Sequence, residues 1–288
     1  MIDNDHTKAI MSDRPDIGEA SGDDLRRPER RPATLREGLL REFVERRGFA
    51  SVADIAAELG VSDITIRRDL TRLEAQGLLL RTHGGAIAAK GVPAEAYDID
   101  EPTFDARRRR NADAKERIGA AAAAIVRPGE TIGIDVGTTT LQAARHLASR
   151  PDIKIFTNNV RAATVLAEGP AHCYLPGGQL RGKELSIYGS IAIEQLQRYW
   201  LDRVFLGISG VTDQGLFDYS LEDTEIKRVY IERATQVVVL CDSSKFGRLS
   251  MVRICALDEI DLLITDALPP ADLRAALEAA SVDVVVAG

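Results

Sequence analysis

The chain has 288 residues, 45% of them hydrophobic and 28% charged, and its formal net charge is −7. This length predicts more than one folded domain, and the hydrophobic content is ample for buried cores. No apolar run approaches the roughly 18 residues of a membrane span, and the N-terminus lacks a signal-peptide pattern, so a cytoplasmic protein without a membrane partner is predicted. The three cysteines have no paired spacing, which argues against a zinc site or a disulfide framework, and no metal or cofactor is predicted.

Charge is distributed unevenly along the chain. Residues 1–25 contain 2 Lys and Arg against 7 Asp and Glu, whereas residues 26–90 contain 13 against 9. Residues 91–288 are acidic again, with 22 against 28. A basic module between two acidic parts is the asymmetry expected of a nucleic-acid-binding protein. The polar residues 1–32 are predicted to form a disordered tail.

Residues 33–90 have the pattern of a winged helix-turn-helix domain. Apolar residues recur at helical spacing, and Ser and Gly stand where helices begin and end. The predicted elements are a helix from Thr34 to Gly48, a second from Ser51 to Gly60, a third from Ser62 to Gly77, and a hairpin around Gly84 and Gly85. The hairpin, "LLLRTHGGAIA", would form the wing.

The third helix has one apolar face and one face suited to DNA. On a helical wheel Ile66, Leu70 and Leu73 fall together and are expected to face the core. The opposite face carries Ile64, Arg68, Thr71, Arg72 and Ala75, with Thr65 and Arg67 beside it. Asp69 lies near the edge of the core, and we expect it to orient a neighbouring arginine or cap the backbone.

Each side chain of the outward face has a physical reason to contact double-stranded DNA. Arginine can bond guanine O6 and N7, which favours Arg68 for a base, and Ile64 can meet a thymine methyl group. Hydroxyls at a helix N-terminus suit a phosphate. The predicted DNA-binding residues are Ser62, Ile64, Thr65, Arg67, Arg68, Arg72, Arg81 and His83. The alternative is that the arginines pair with nearby carboxylates on an ordinary surface, and that His83 bonds the wing turn.

Residues 91–112 are predicted to form a linker. They contain Pro93, Pro102 and a run of four arginines, Arg107 to Arg110. Acidic residues lie on both sides of this run, so we expect the arginines to occupy a solvated helix face rather than to bind DNA.

Residues 113–288 alternate strand-like and helix-like segments. Seven strands are predicted at "TIGIDV", "IKIFT", "HCYL", "DRVFLGI", "QVVVLCD", "LLIT" and "VDVVV". Nearly continuous apolar strands are typical of a parallel sheet covered on both faces. The fold class is therefore multidomain α/β, with an open, mostly parallel sheet, and ligands bind such sheets at the carboxyl ends of their strands.

The strand ends predict an anion site. In "TIGIDVGTTT", Gly137 allows a tight turn, and Thr138, Thr139 and Thr140 offer donors at the start of a helix. Other strands end in "FTNN", "LPGG", "LGISG" and "VVLCDSSKFG". This mixture of donors and acceptors suits a polyhydroxylated phosphate ester. The alternative for the Gly-Thr loop is an ordinary capped turn.

Two sets of motifs resemble the DeoR family of bacterial transcriptional regulators. Residues 36–86, with "SDITIRRDL" and "RTHGGA", resemble its DNA-binding module. The segments "IDVGTTT", "TNN", "PGGQL", "DRVFLGISG", "EIKRVYIERA" and "CDSSKFG" resemble its sugar-sensing half, which is similar in fold to ribose-5-phosphate isomerase. This chain departs from the usual pattern at Asp223, where the family shows glutamate, and at Cys241, where alanine is common.

The resemblance implies a function for the whole chain. It would be a homo-oligomeric repressor of a sugar or polyol catabolic operon, with residues 113–288 serving for effector binding and oligomerisation. A phosphorylated sugar or polyol would modulate its binding to operator DNA. The implied effector-binding residues are Asp135, Gly137, Thr138, Thr139, Thr140, Asn158, Gly178, Lys227 and Lys245.

The alternative function is an aldose–ketose phosphate isomerase fused to a DNA-binding module. Such an enzyme needs a general base, usually a carboxylate, within reach of the substrate. Asp135 and Glu222 are the candidates, but no paired-carboxylate motif stands out.

Overall fold

The computed structural model describes residues 33–47, 49–81, 85–88 and 101–288. The predicted disordered tail, residues 1–32, lies outside the described residues. So do Gly48 and the wing tip at residues 82–84, which includes His83.

The N-terminal part is a winged helix-turn-helix, as predicted. Its elements are α1 (Ala33–Arg47), β1 (Phe49–Ser51), α2 (Val52–Leu59), α3 (Asp63–Ala75), β2 (Leu79–Arg81) and β3 (Gly85–Ala88). The strands form an antiparallel sheet in the order β1-β3-β2. Strand β1 was not predicted, because three residues are too short to show a strand period.

The helix boundaries follow from local side chains. Ser51 caps α2 through a reciprocal capping box with Asp54, and Gly60 ends that helix in the left-handed conformation at φ 65°. Gly77, at φ 67°, follows α3. The predicted core face of α3 is confirmed, since its apolar side chains are at most 2% exposed and pack against α1 and α2.

The C-terminal part is a parallel α/β domain. Its main sheet consists of β4 (Thr131–Ile134), β5 (Lys154–Thr157), β6 (His172–Tyr174), β9 (Leu201–Gly207), β12 (Ala234–Leu240), β14 (Leu262–Thr265) and β15 (Asp283–Val286). The order is β15-β14-β12-β9-β4-β5-β6, and every pair is parallel. All seven strands coincide with the predicted segments.

Helices cover both faces of this sheet. They are α4 (Phe104–Arg109), α5 (Ala112–Ala124), α6 (Thr138–Leu147), α7 (Val160–Leu166), α8 (Ser190–Leu196), α9 (Leu221–Arg233) and α10 (Ala271–Ala279). Successive residues of one strand enter opposite cores: Val204 and Leu206 pack with α8 to α10, and Phe205 packs with α5 to α7. Burial on both faces explains the nearly continuous apolar strands.

Three features of this domain were not predicted from the sequence. Strands β7 (Gln179–Arg181) and β8 (Ser186–Tyr188) form a hairpin, and β10 (Gly210–Thr212), β11 (Gly215–Asp218) and β13 (Val252–Cys255) form a small antiparallel sheet. The third is α4, which lies inside the predicted linker of residues 91–112. Phe104 of α4 is buried in the core with α5 to α7, so this part of the predicted linker belongs to the α/β domain. Among the described helices, none is long and apolar enough to cross a membrane.

The strand order fixes where a ligand can reach the sheet. From β4 the chain proceeds to β5 and β6 on one side of the sheet. From β9, the other neighbour of β4, it proceeds to β12 and β14 on the opposite side. The connections therefore leave β4 and β9 in opposite directions, and a crevice opens at their carboxyl ends. The segments after these strands begin at Asp135 and Ile208.

Candidate nucleic-acid interface and C-terminal cavity

The outward face of α3 exposes a hydrophobic side chain beside arginines. Ile64 is 72% exposed, and Arg67 and Arg68 are exposed. Among the described residues, neither arginine forms an ion pair. Within the described part of the chain, these two guanidinium groups are thus available to a ligand outside the domain.

Asp69 is buried and organises two arginines, as its position near the core edge predicted. Its carboxylate accepts hydrogen bonds from Arg36 Nε of α1 at 2.5 Å and Arg36 Nη2 at 3.1 Å. Arg72 Nη2 donates to the same carboxylate at 2.5 Å, and Arg72 Nε lies 3.4 Å from Glu37. Two carboxylates therefore hold Arg72, although its side chain is half exposed.

The N-terminus of α3 presents two hydroxyls. Ser62 occupies the N-cap position, but its side chain does not accept a backbone hydrogen bond. Instead, Ser62 Oγ lies 3.0 Å from Thr65 Oγ1. The third helix thus begins at Ser62 as predicted but has no side-chain cap, and both hydroxyls stand at the positive end of the helix dipole.

A cavity of about 200 Å³ lies at the carboxyl ends of β4, β9 and β12. Its floor includes the segments 136–139, 207–209 and 241–245, which follow those three strands. Gly207 is required here because a Cβ at this position would lie 2.7 Å from the Val136 carbonyl oxygen. The cavity occupies the crevice that the strand order predicts.

Four basic side chains line the cavity. They are Arg107, Arg110, Lys115 and Lys245, and the start of α6 belongs to the same lining. The N-cap residue of α6 is Gly137, which has no side chain to bond the first amides of the helix. Free amides, the helix dipole and basic side chains together favour a bound anion.

Lys115 is the most buried of these cations. Its side chain is 4% exposed, and Nζ donates to the carbonyl oxygens of Arg107 and Arg110 at 2.5 and 2.7 Å. Burial lowers the pKa of Lys115 to about 8, against the opposing effect of Asp242 at 3.8 Å. The surrounding Lys245, Arg107 and Arg110 also lower it, so the charge of Lys115 lacks full compensation.

Carboxylates line the same cavity. They belong to Glu101, Asp218, Asp223 and Asp242, and Glu101 lies 3.2 Å from the basic Arg107. Arg181 donates to Asp223 at 2.8 Å and to Glu101. Carboxylate oxygens accept hydrogen bonds, so these residues suit the hydroxyl groups of a polyol.

A buried lysine pairs with one of these carboxylates. Lys227 of α9 is 1% exposed, and its Nζ donates to Asp135, to Gly207 O at 2.9 Å, and approaches Asp218 at 3.1 Å. Burial alone would lower the pKa of Lys227, but Asp135 and Asp218 more than offset this and raise it, so the lysine is charged. Asp135 also accepts the Gly207 amide at 3.1 Å.

Both halves of the chain match one family. Residues 36–92 match the DeoR-like helix-turn-helix domain, and residues 110–267 match the DeoR C terminal sensor domain. The chain belongs to the DeoR family. It is therefore a DNA-binding transcriptional regulator rather than an enzyme.

Several named DeoR-type repressors are similar along most of their length. The chain is 35% identical over 229 residues to the HTH-type transcriptional repressor GlcR of Bacillus subtilis, covering 79% of this chain and 86% of that protein. It is 34% identical over 246 residues to the glycerol-3-phosphate regulon repressor of Escherichia coli, covering 85% and 95%. Ribose 5-phosphate isomerase A from Methanocaldococcus jannaschii aligns with 47% of this chain and 55% of that chain, at 22% identity and a TM-score of 0.36.

The nine effector-binding residues that the DeoR resemblance implies fall into three groups. Gly137, Thr138, Thr139 and Lys245 line the cavity. Asp135, Thr140 and Lys227 are buried beneath it, with the Thr140 hydroxyl donating to the carbonyl oxygens of Asp135 and Gly137. Asn158 and Gly178 are not among the lining residues; Asn158 donates to Ile187 O at 3.3 Å, and a Cβ at Gly178 would lie 2.6 Å from Tyr188 O.

Sequence reasoning missed the cavity wall that α4 and the start of α5 supply. Arg107, Arg110 and Lys115 line this wall, and Arg107 pairs with Glu101 and Glu184. The expectation of a solvated helix face is therefore wrong for Arg107, whose side chain is 16% exposed. The arginine run itself was the available signal, but its acidic partner Glu184 is distant in sequence.

Proposed function

We propose that this DeoR-family chain represses a sugar or polyol catabolic operon and that a phosphorylated sugar or polyol in the C-terminal cavity modulates its binding to operator DNA. The observation that carries the effector half is the lining of the cavity. Four basic side chains and the uncapped amides of α6 suit a phosphate, and carboxylates in the same lining suit hydroxyl groups. The names of the matched repressors, one of them for the glycerol-3-phosphate regulon, support the same chemistry.

For the DNA half, α3 would enter the major groove with Ile64, Arg67 and Arg68 foremost. The exposure of these side chains supports this, and Ser62 and Thr65 would meet a phosphate. Arg72 contributes less in this proposal, because Asp69 and Glu37 hold its guanidinium. Arg81 belongs to β2, at the base of the wing, and in this proposal it contacts the phosphate backbone of the DNA. His83 belongs to the same proposal but lies outside the described residues.

Replacing Arg68 by alanine is expected to weaken operator binding by about 1–3 kcal/mol and to relax specificity at one base position. Arg67→Ala is the matched comparison, since it should weaken binding to all sequences and reduce the salt slope by about 1. Fluorescence anisotropy on the chain's own upstream region, over a series of salt concentrations, distinguishes the two. Wild-type affinity and salt slope for Arg68→Ala would show that Arg68 does not contact DNA.

The effector is expected to change operator affinity about 5- to 150-fold, the usual range of coupling between two sites. Mobility shifts should be measured with a panel of phosphorylated sugars and polyols, including glycerol 3-phosphate, each paired with its unphosphorylated form. Only phosphorylated members should act, because the basic side chains and helix amides of the lining require an anion. Unchanged retardation across millimolar concentrations of the whole panel would refute the effector half and leave the DNA half standing.

The geometry gives no support to the isomerase alternative. Asp135 is fully buried and bonded to Lys227, and Glu222 accepts a hydrogen bond from Ser220. Neither carboxylate lines the cavity. The predicted homo-oligomer stays a prediction, which sedimentation velocity of the full chain would test.

A further inference from the structure

The segment Glu101–Asn111 forms one wall of the cavity. Glu101, Arg107 and Arg110 line it directly. Through residues 89–100 the same segment is joined covalently to β3 of the winged domain. The segment Glu101–Asn111 thus follows the DNA-binding module along the chain and also forms a wall of the proposed effector site.

Groups that belong to the cavity hold the carboxyl end of α4. Lys115 donates to the carbonyl oxygens of Arg107 and Arg110, at the last turn of the helix. Asn111 then takes the left-handed conformation, with φ 53°, and its Nδ2 donates to Asp242 Oδ1 at 2.7 Å. Lys115 and Asp242 themselves line the cavity, so the position of α4 depends on cavity side chains.

Ion pairs connect the other end of the segment to carboxylates that line the cavity. Glu101 lies 3.2 Å from Arg107, and it accepts a hydrogen bond from Arg181. Arg181 also binds Asp223, which lines the cavity. Both ends of the segment Glu101–Asn111 are therefore tied to residues that line the cavity.

A bound anion would change the balance that holds α4. Among the described residues, the ammonium group of Lys115 donates to two carbonyl oxygens, and its ion-pair partner is Asp242 at 3.8 Å. Arg107 Nε is buried and has no hydrogen-bond partner among the described residues. An anion would compete with the α4 carbonyls for the protons of Lys115 and would attract the guanidinium groups of α4.

We propose that α4 and Asn111 are the element through which the effector controls DNA binding, with Arg110 contacting the anion and with Lys115, Asn111 and Asp242 setting the position of α4. This inference rests on the proposed function, since it requires an anionic effector in the cavity. Coupling then follows because the anion favours one of two arrangements of the segment that leads to the winged domain.

The first test uses inorganic phosphate as the probe. Hydrogen exchange of the full chain is compared in millimolar phosphate and in chloride at equal ionic strength, for wild type, Arg110→Gln and Arg109→Gln. Arg109 is the control, because it is an exposed arginine of α4 that does not line the cavity. In wild type and Arg109→Gln, phosphate should change exchange at residues 104–111 and at 137–141, and Arg110→Gln should lose the change at 104–111.

The same measurement distinguishes the two possible failures. A phosphate effect at residues 137–141 without any at 104–111 in wild type would overturn the role of α4 and leave the anion site intact. No phosphate effect at either segment would refute the anion site itself, and the inference with it.

A second variant tests the coupling through DNA binding. Asn111→Gly keeps the positive φ accessible but removes the hydrogen bond to Asp242. With the panel compound that most changes wild-type operator affinity, the ratio of affinities with and without that compound should fall by about fivefold or more. Titration calorimetry of Asn111→Gly with the same compound confirms that it still binds. A wild-type ratio in Asn111→Gly would overturn the proposal.

Discussion

Replacing Lys227 by methionine is expected to destabilise the α/β domain by about 3–5 kcal/mol, the usual cost of removing one partner of a buried ion pair. Lys227 is buried, and its Nζ serves Asp135, Asp218 and the carbonyl oxygen of Gly207. Without the lysine, two carboxylates would face each other with no cation from α9 between them. The loss of stability should lower the urea concentration at the unfolding midpoint. This midpoint is measured by the fluorescence of Trp200, the one tryptophan of the chain, which lies in this domain.

Two further variants show whether the loss of stability in Lys227→Met comes from the lost charge at this buried site. Lys154→Met, at an exposed position of β5, should leave the urea midpoint nearly unchanged. Asp135→Asn combined with Lys227→Met should recover part of the lost stability, because it removes one of the uncompensated charges. Equal urea midpoints for Lys227→Met and wild type would show that the ion pair contributes nothing to the stability of the domain.

The pH dependence of Lys227→Met follows from Asp135. Burial raises the pKa of Asp135 to about 6 in the wild-type chain, against the lowering effect of Lys227, whereas an unfolded aspartate titrates near 4. Removing Lys227 raises the folded-state pKa further. The folded variant therefore takes up a proton more readily than the unfolded chain, and its deficit in stability should shrink as the pH falls from neutral through about 6.

The main sheet could be predicted because its signal is local. The inner strands β9, β12 and β14 are apolar segments that are largely buried, so composition alone indicates them. The loop at Gly137 to Thr139 could also be placed in the cavity lining, because it follows a strand and precedes a helix. Strands of three or four residues outside this sheet, such as β1 and β7, are too short to show a period of two.

The rest of the cavity depends on pairings that sequence does not display. Arg107 looks solvated beside acidic neighbours, but its partner Glu184 is 77 residues away. Asp135 and Lys227 are 92 residues apart, and their contact removes both from the surface that a ligand would touch. The family resemblance implied both as effector-binding residues, and this stays a prediction. Only the fold separates the implied residues that line the cavity from those buried beneath it.

For Asp69 the helical wheel predicted one of its two arginine partners. Its place near the core edge predicted a structural role, and the hydrogen bond from Arg72 confirms it. Asp69 also accepts two hydrogen bonds from Arg36 of α1, 33 residues earlier, which no helical wheel of α3 can show. This pair joins the first helix of the domain to the helix proposed to read DNA.

Replacing Asp69 by alanine is therefore expected to destabilise the winged domain by about 3 kcal/mol, because it removes a buried carboxylate that binds two arginines. Hydrogen exchange of the full chain should show faster exchange in α1 and α3. Asp63→Ala, at an exposed position in the first turn of α3, is the matched control and should not accelerate exchange in α1. The urea transition of Trp200 should stay at its wild-type midpoint, because that residue reports the other domain. Unchanged exchange in α1 for Asp69→Ala would show that the pairing with Arg36 does not hold the two helices together.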